Sequence, residues 1–107
     1  MTKHIVALGL LLAASATLAS AQAADGKTLY DANCKKCHGA IGKPVAVMVK
    51  KFPKLMPFDA AFFANRTDES IATIIKSGNN KEMKAVPALT TDAERTAVAK
   101  YIRTLGK

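Results

Sequence analysis

The chain has 107 residues, with 16 Lys+Arg against 8 Asp+Glu and two cysteines, which leaves room for one hydrophobic core and excludes a second. Half of the residues are hydrophobic, too many for a disordered tail. The sequence holds no Gly-rich phosphate loop, Ser-His-Asp set or HExxH helix, and two cysteines cannot build a disulfide framework.

Met1 to Ala24 reads as an export leader. Lys3 and His4 form a basic start, Ile5 to Ala14 is the apolar stretch, and Ala21-Gln22-Ala23 offers the small-x-small pattern of a cleavage site. Cleavage is expected after Ala23, with Ala21 or Ala24 as neighbouring choices. An uncleaved anchor is the alternative. However, ten apolar residues, followed by Ser15, Thr17 and Ser20, fall short of the ~20 that a span requires. No cysteine follows the leader directly, so a lipid anchor there is excluded. Residues 24–107 then form the mature domain. Removing residues 1–23 takes away one lysine and leaves 84 residues at a net charge of +7. A domain this small usually needs a disulfide, metal or cofactor to complete its core.

The mature chain reads as helices joined by loops, an all-α domain. A first helix is expected over 26–33. Pro44, Pro53 and Pro57 then prevent any long helix between Gly39 and Asp59, and the short apolar run 60–64 follows. Thr67 can cap a second clear helix, with Asp68 and Glu69 at its positive end, Ile71, Ile74 and Ile75 on one face, and Gly78 as its stop. Residues 79–89 read as a loop. The last helix starts at Thr91, where Glu94 completes the pattern of a capping box, and ends at Gly106. Ala97, Val98, Tyr101, Ile102 and Leu105 recur in it at helical spacing.

Cys34-Lys35-Lys36-Cys37-His38 is the decisive feature. Thiols three residues apart can each add across one of the two vinyl groups of a haem, and the adjacent imidazole is then held against the iron. Other readings fit less well. A thioredoxin-like redox pair belongs beside a βαβ pattern, which is missing. Two Cys and one His are one ligand short of a closed zinc site. A plain disulfide leaves the histidine unexplained. Export also agrees with haem attachment, which takes place outside the cytoplasm.

With this motif near its mature N-terminus, the chain resembles the class I c-type cytochromes, particularly the short single-haem bacterial kind. The resemblance covers Gly26 to Leu105. It implies a small all-α fold of three to five helices around one covalently attached haem c, with the N-terminal helix crossing the C-terminal one. Gly26 and Tyr30 match the first of these helices, and Val98 and Tyr101 match the second. Cys34 and Cys37 are the implied haem attachments and His38 the implied axial ligand. In the family a proline carbonyl accepts the hydrogen bond from the histidine Nδ1, and Pro44 is the candidate here.

His4 leaves with the leader, so His38 is the only histidine of the mature chain and a second imidazole ligand is excluded. Met48, Met56 and Met83 are the remaining soft donors. Reach does not choose between them, since ten extended residues already span over ~30 Å. Context favours Met83, in the polar loop 78–83 ahead of the last helix, which resembles the family's distal loop. Lys84 stands where the family often has a proline directly after the ligand. Met56-Pro57 has that dipeptide but lies in the wrong part of the pattern, and Met48 sits in an apolar run that reads as core or pocket packing. An open sixth site is the other alternative. Leu55, Phe58, Phe62, Phe63, Ile71, Ile75, Val86 and Leu89 are candidate pocket or core residues.

Lys35 and Lys36 lie inside the motif, and Lys43, Lys50, Lys51, Lys54, Lys81 and Lys84 lie in loops that the family places around the pocket. Such a ring would steer the protein onto acidic redox partners, whereas a nucleic-acid partner lacks any binding motif. Arg66 is either a partner for a haem propionate or an ordinary exposed arginine. The leading expectation is therefore a soluble, monomeric periplasmic electron carrier with His38/Met83 ligation, and not an enzyme. A haem subunit of a larger exported oxidoreductase, or a ligand-binding or peroxidatic haem with an open sixth site, are the alternatives.

Overall fold

A computed structural model describes residues 25–79 and 82–107. The expected leader at 1–23 and Lys81 lie outside the described residues. Among these residues six helices follow one another: α1 (Gly26–Asn33), α2 (Lys35–His38), α3 (Ala46–Lys51), α4 (Ala60–Phe63), α5 (Asp68–Ser77) and α6 (Asp92–Leu105). Among the described residues there is no strand, so the all-α expectation holds. The count exceeds the expected three to five because α2 and α4 are single turns and α3 is a short helix.

Local chemistry sets the boundaries. Asp25 caps α1 by accepting from the Lys27 N–H, and Thr67 caps α5 by accepting from the Ser70 N–H. The Ser70 hydroxyl in turn accepts from the Thr67 N–H, so α5 carries a complete capping box built on serine rather than glutamate. At α6 the expected box is only half formed. Thr91 Oγ1 accepts from the Glu94 N–H, but the Glu94 carboxylate accepts from the Thr91 hydroxyl and not from its backbone. That carboxylate also takes the Thr90 hydroxyl, at 3.3 Å, which draws it away from the Thr91 N–H.

The core is organised around α6, which packs on both α1 and α5. Arg95, Val98, Ala99 and Ile102 are its buried positions, a stripe at helical spacing. Ile71 and Ile75, one turn apart on α5, meet it from one side. The helix also serves as a clamp. Arg95 donates to the Leu89 carbonyl at 2.7 Å, fixing the loop that enters α6. Arg103 donates to Asp68 at 2.9 Å and to the Arg66 carbonyl at 3.0 Å, fixing the start of α5.

α1 approaches α6 so closely that no side chain fits at its first residue. A Cβ built on Gly26 would lie 2.3 Å from the Ala97 carbonyl oxygen and 3.0 Å from Tyr101 Cβ. This contact seats Tyr30 completely inside the protein, with its ring 5.3 Å from that of Tyr101. The helix crossing implied by the sequence resemblance is therefore built on three of the residues that carried it, Gly26, Tyr30 and Tyr101, while the fourth, Val98, is buried on α6. Helix propensity alone makes Gly26→Ala stabilising by up to ~1 kcal/mol. The crossing makes it destabilising by about 1–3 kcal/mol, since backbone must move to admit the methyl group. Urea denaturation of the two proteins gives the sign.

Candidate functional site

Tyr30 connects this scaffold to the cysteine motif. Its hydroxyl donates to the Gly39 carbonyl at 2.6 Å, a buried hydrogen bond that spans the motif from one end to the other. Between these anchors Cys34 ends α1, its N–H donating to the Tyr30 carbonyl at 2.8 Å, and its own carbonyl accepts from Cys37 and His38 as α2 begins. Cys34, Cys37 and His38 are thus spaced i, i+3 and i+4 on one helical turn, which turns all three to the same side. The two sulfurs are free thiols.

Those three residues line a cavity of about 370 Å³. Its wall is largely apolar: Phe58 and Phe62 contribute from α4 and its approach, Ile71 and Ile75 from α5, and Val98 and Ile102 from α6. Of the eight apolar residues expected from the sequence, Leu55 and Val86 also line it, whereas Phe63 and Leu89 pack in the core instead. Sequence reasoning missed Tyr30, Phe52, Ile74, Val98 and Ile102 as lining residues. Helical periodicity marked three of them, Ile74, Val98 and Ile102, as apolar-face positions, without showing that the face meets a cavity as well as a core.

His38 is neutral over a wide pH range, because burial pushes its pKa below the ordinary histidine value. Burial likewise pushes the Cys34 thiol up to about 11, so it stays protonated. The hydrogen bond expected from His38 Nδ1 to Pro44 is not formed. Nδ1 is buried and has no hydrogen-bond partner among the described residues. The imidazole instead stacks on Phe58, with ring centroids 4.8 Å apart and planes 21° apart, so ring stacking orients the ring in place of a carbonyl.

Met83 lines the same cavity as His38 and packs against the core. Gly78 makes its position possible. The φ of +74° at Gly78 turns the chain back on itself, and a Cβ there would lie 2.8 Å from the Met83 carbonyl oxygen. Asn79 then brackets the methionine backbone: its N–H donates to the Met83 carbonyl, and its side-chain oxygen accepts from the Met83 N–H, each at 3.1 Å. The Val86 N–H donates to the Ile75 carbonyl and ties the loop to α5. Met56 also lines the cavity but is 40% exposed, and Met48 is half-buried on α3 outside it.

Of the lysines expected around the pocket, Lys54 and Lys84 line it. Arg66 lines it too and is half-buried rather than exposed. It donates to the Phe62 carbonyl at 2.8 Å and lies over the Phe62 ring at 4.3 Å. Among the described residues, no three His, Cys, Asp or Glu side chains gather into a site for a bare metal ion, and no helix is long and apolar enough to cross a membrane.

Comparison with known proteins identifies the family and the fold. The family model described as Cytochrome c matches residues 23–106. Among solved structures, the KustC0563 c-type cytochrome is 31% identical, with a TM-score of 0.67; the match covers 78% of this chain and 99% of that one. No curated protein matches.

The Tyr30–Gly39 bond is the test of how the site is held. Tyr30→Phe keeps the ring but leaves a buried carbonyl without its donor, so it lowers stability by about 1–3 kcal/mol. Tyr101→Phe, at a half-buried ring with no such bond, has a smaller effect in the same denaturation experiment.

Proposed function

The chain belongs to the cytochrome c family, and we propose on that premise that it is an exported, soluble electron carrier in which His38 and Met83 are the two axial ligands of one haem. It has the small class I fold, and its family carries covalently attached haem c and works in electron transfer. The finer reading is carried by one observation: Cys34, Cys37, His38 and Met83 all line a single cavity.

The residues fit the group. Two free thiols stand one helical turn apart, a neutral imidazole lies on the same side, and a thioether comes from a separate loop across an apolar interior. Cys34 and Cys37 would hold the porphyrin through thioether bonds, with His38 and Met83 as donors to its iron. When bound, the haem supplies a one-electron Fe(III)/Fe(II) couple.

The rest is the work of the chain. Burial keeps His38 unprotonated and so available as a donor. Met83 offers a neutral, soft sulfur, which favours the ferrous state over what a second imidazole would give. Ile71, Ile75, Val98 and Ile102 keep water out, and an apolar surround disfavours the extra positive charge of the ferric state. Met83 is preferred to Met56 because both polar groups of its backbone are held by Asn79 and its side chain packs on the core. Export is supported by the leader pattern and by the family match starting at residue 23, where the leader is expected to end. The proposed role is to pass electrons between acidic redox proteins without transforming a substrate.

Oxidised holoprotein is expected to show the weak long-wavelength band of methionine-to-ferric-iron charge transfer. Met83→Ala abolishes it and Met56→Ala keeps it. The reverse pattern assigns the iron to Met56. Ready carbon monoxide binding by the reduced wild type, with no band in the oxidised form, replaces the carrier with an open-site haem.

A further inference from the structure

We propose that α3 and its flanks form the docking face for the redox partner, and that this face fits a protein surface with an apolar centre rimmed by carboxylates. The inference rests on the electron-carrier reading and locates its point of exchange.

Residues 32–58 contain six lysines and no aspartate or glutamate, although the chain as a whole has one acid for every two basic residues. Within this stretch, α3 buries none of its residues. Val47 is 67% exposed and Ile41 63%, with Val45 and Val49 near 40%. Single exposed aliphatics are ordinary, but four within nine residues, two on α3 (Val47 and Val49), one at its N-cap (Val45) and one in the turn before it (Ile41), with lysines on either side, point to a covered surface. Val47 stands three and four residues before Lys50 and Lys51, so one helix face carries an apolar centre with two cations beside it.

The same stretch runs directly into the cavity wall. Phe52, Lys54, Leu55 and Met56 line the cavity, and Lys51 Nζ lies 5.4 Å from the centre of the Phe52 ring. A partner seated on α3 therefore abuts the redox cavity through Phe52. Lysines around the rim accelerate encounter with an acidic surface, and desolvated aliphatics hold the complex once formed. An anionic lipid surface is the weaker occupant, since α3 has only six residues, much shorter than most helices that lie in a membrane interface.

The test measures oxidation of reduced, haem-loaded protein by a small acidic blue-copper protein as probe, and by hexacyanoferrate(III) as a structureless oxidant. At low ionic strength, K50E/K51E is expected to slow the protein reaction by at least about tenfold, and K76E/K100E, an equal charge change on α5 and α6, by no more than about threefold. V47S slows the protein reaction at both low and high salt and leaves the hexacyanoferrate rate unchanged. Equal effects of the two charge reversals, or a V47S rate equal to wild type, overturn the proposal while leaving the carrier reading intact. So does co-sedimentation of wild type, lost in V47S, with vesicles of phosphatidylcholine and phosphatidylglycerol. A wild type that reacts with neither oxidant defeats the carrier reading, and the docking face with it.

Discussion

Tyr30 is the residue on which the remainder of this structure depends. It is completely buried, and its phenol reaches the Gly39 carbonyl just beyond the cysteine motif. Its ring packs against Tyr101 of α6 and, at 6.4 Å, against Phe58. Phe58 in turn carries the stacked imidazole of His38. One side chain thus ties the helix crossing, the cysteine turn and the orientation of His38 into a single packed unit. The absence of a Cβ at Gly26 is what allows α1 to come close enough to α6 for that side chain to be enclosed.

The second organising fact is a contrast in polarity. The chain is strongly basic, yet the groups proposed to meet the iron are both neutral: an imidazole whose protonation is opposed by burial, and a thioether. Apart from Arg95, buried against the Leu89 carbonyl and Asp92, charge among the described residues is kept to the surface, where lysine concentrates along residues 32–58, and to the cavity lining at Lys54, Arg66, Glu82 and Lys84. An apolar interior sets a preference for the less charged redox state, while a cationic exterior governs which partners approach. Separating the two lets docking be tuned without disturbing the donor atoms.

Much of this was legible in the sequence, where local chemistry decides the outcome. The cysteine motif, the first helix at 26–33, the cap at Thr67 and the stop at Gly78 each rest on residues within a few positions of one another. Features that rest on distant contacts were not legible. Pro44 and Pro53 excluded a long helix between Gly39 and Asp59, and none forms, but they did not announce the short α3 that they flank, one two residues before its first turn and the other two after its last. Val98 and Ile102 announced an apolar helix face, but only the placing of α5 beside it shows that the face lines a cavity. The stacking of Phe58 on His38 joins residues twenty apart, and no periodicity encodes it. The half-formed box at Glu94 failed for a more local reason, since the pattern names both partners but not the competing hydroxyl of Thr90.

Covalent tethering is the central claim, and the intact mass of the exported protein under denaturing conditions tests it most directly. The account predicts a single species equal to residues 24–107 plus one haem, retained after acid–organic extraction and lost when Cys34 and Cys37 are both replaced by alanine. A mass matching the bare chain, with the two cysteines as free thiols or as a disulfide, would contradict it.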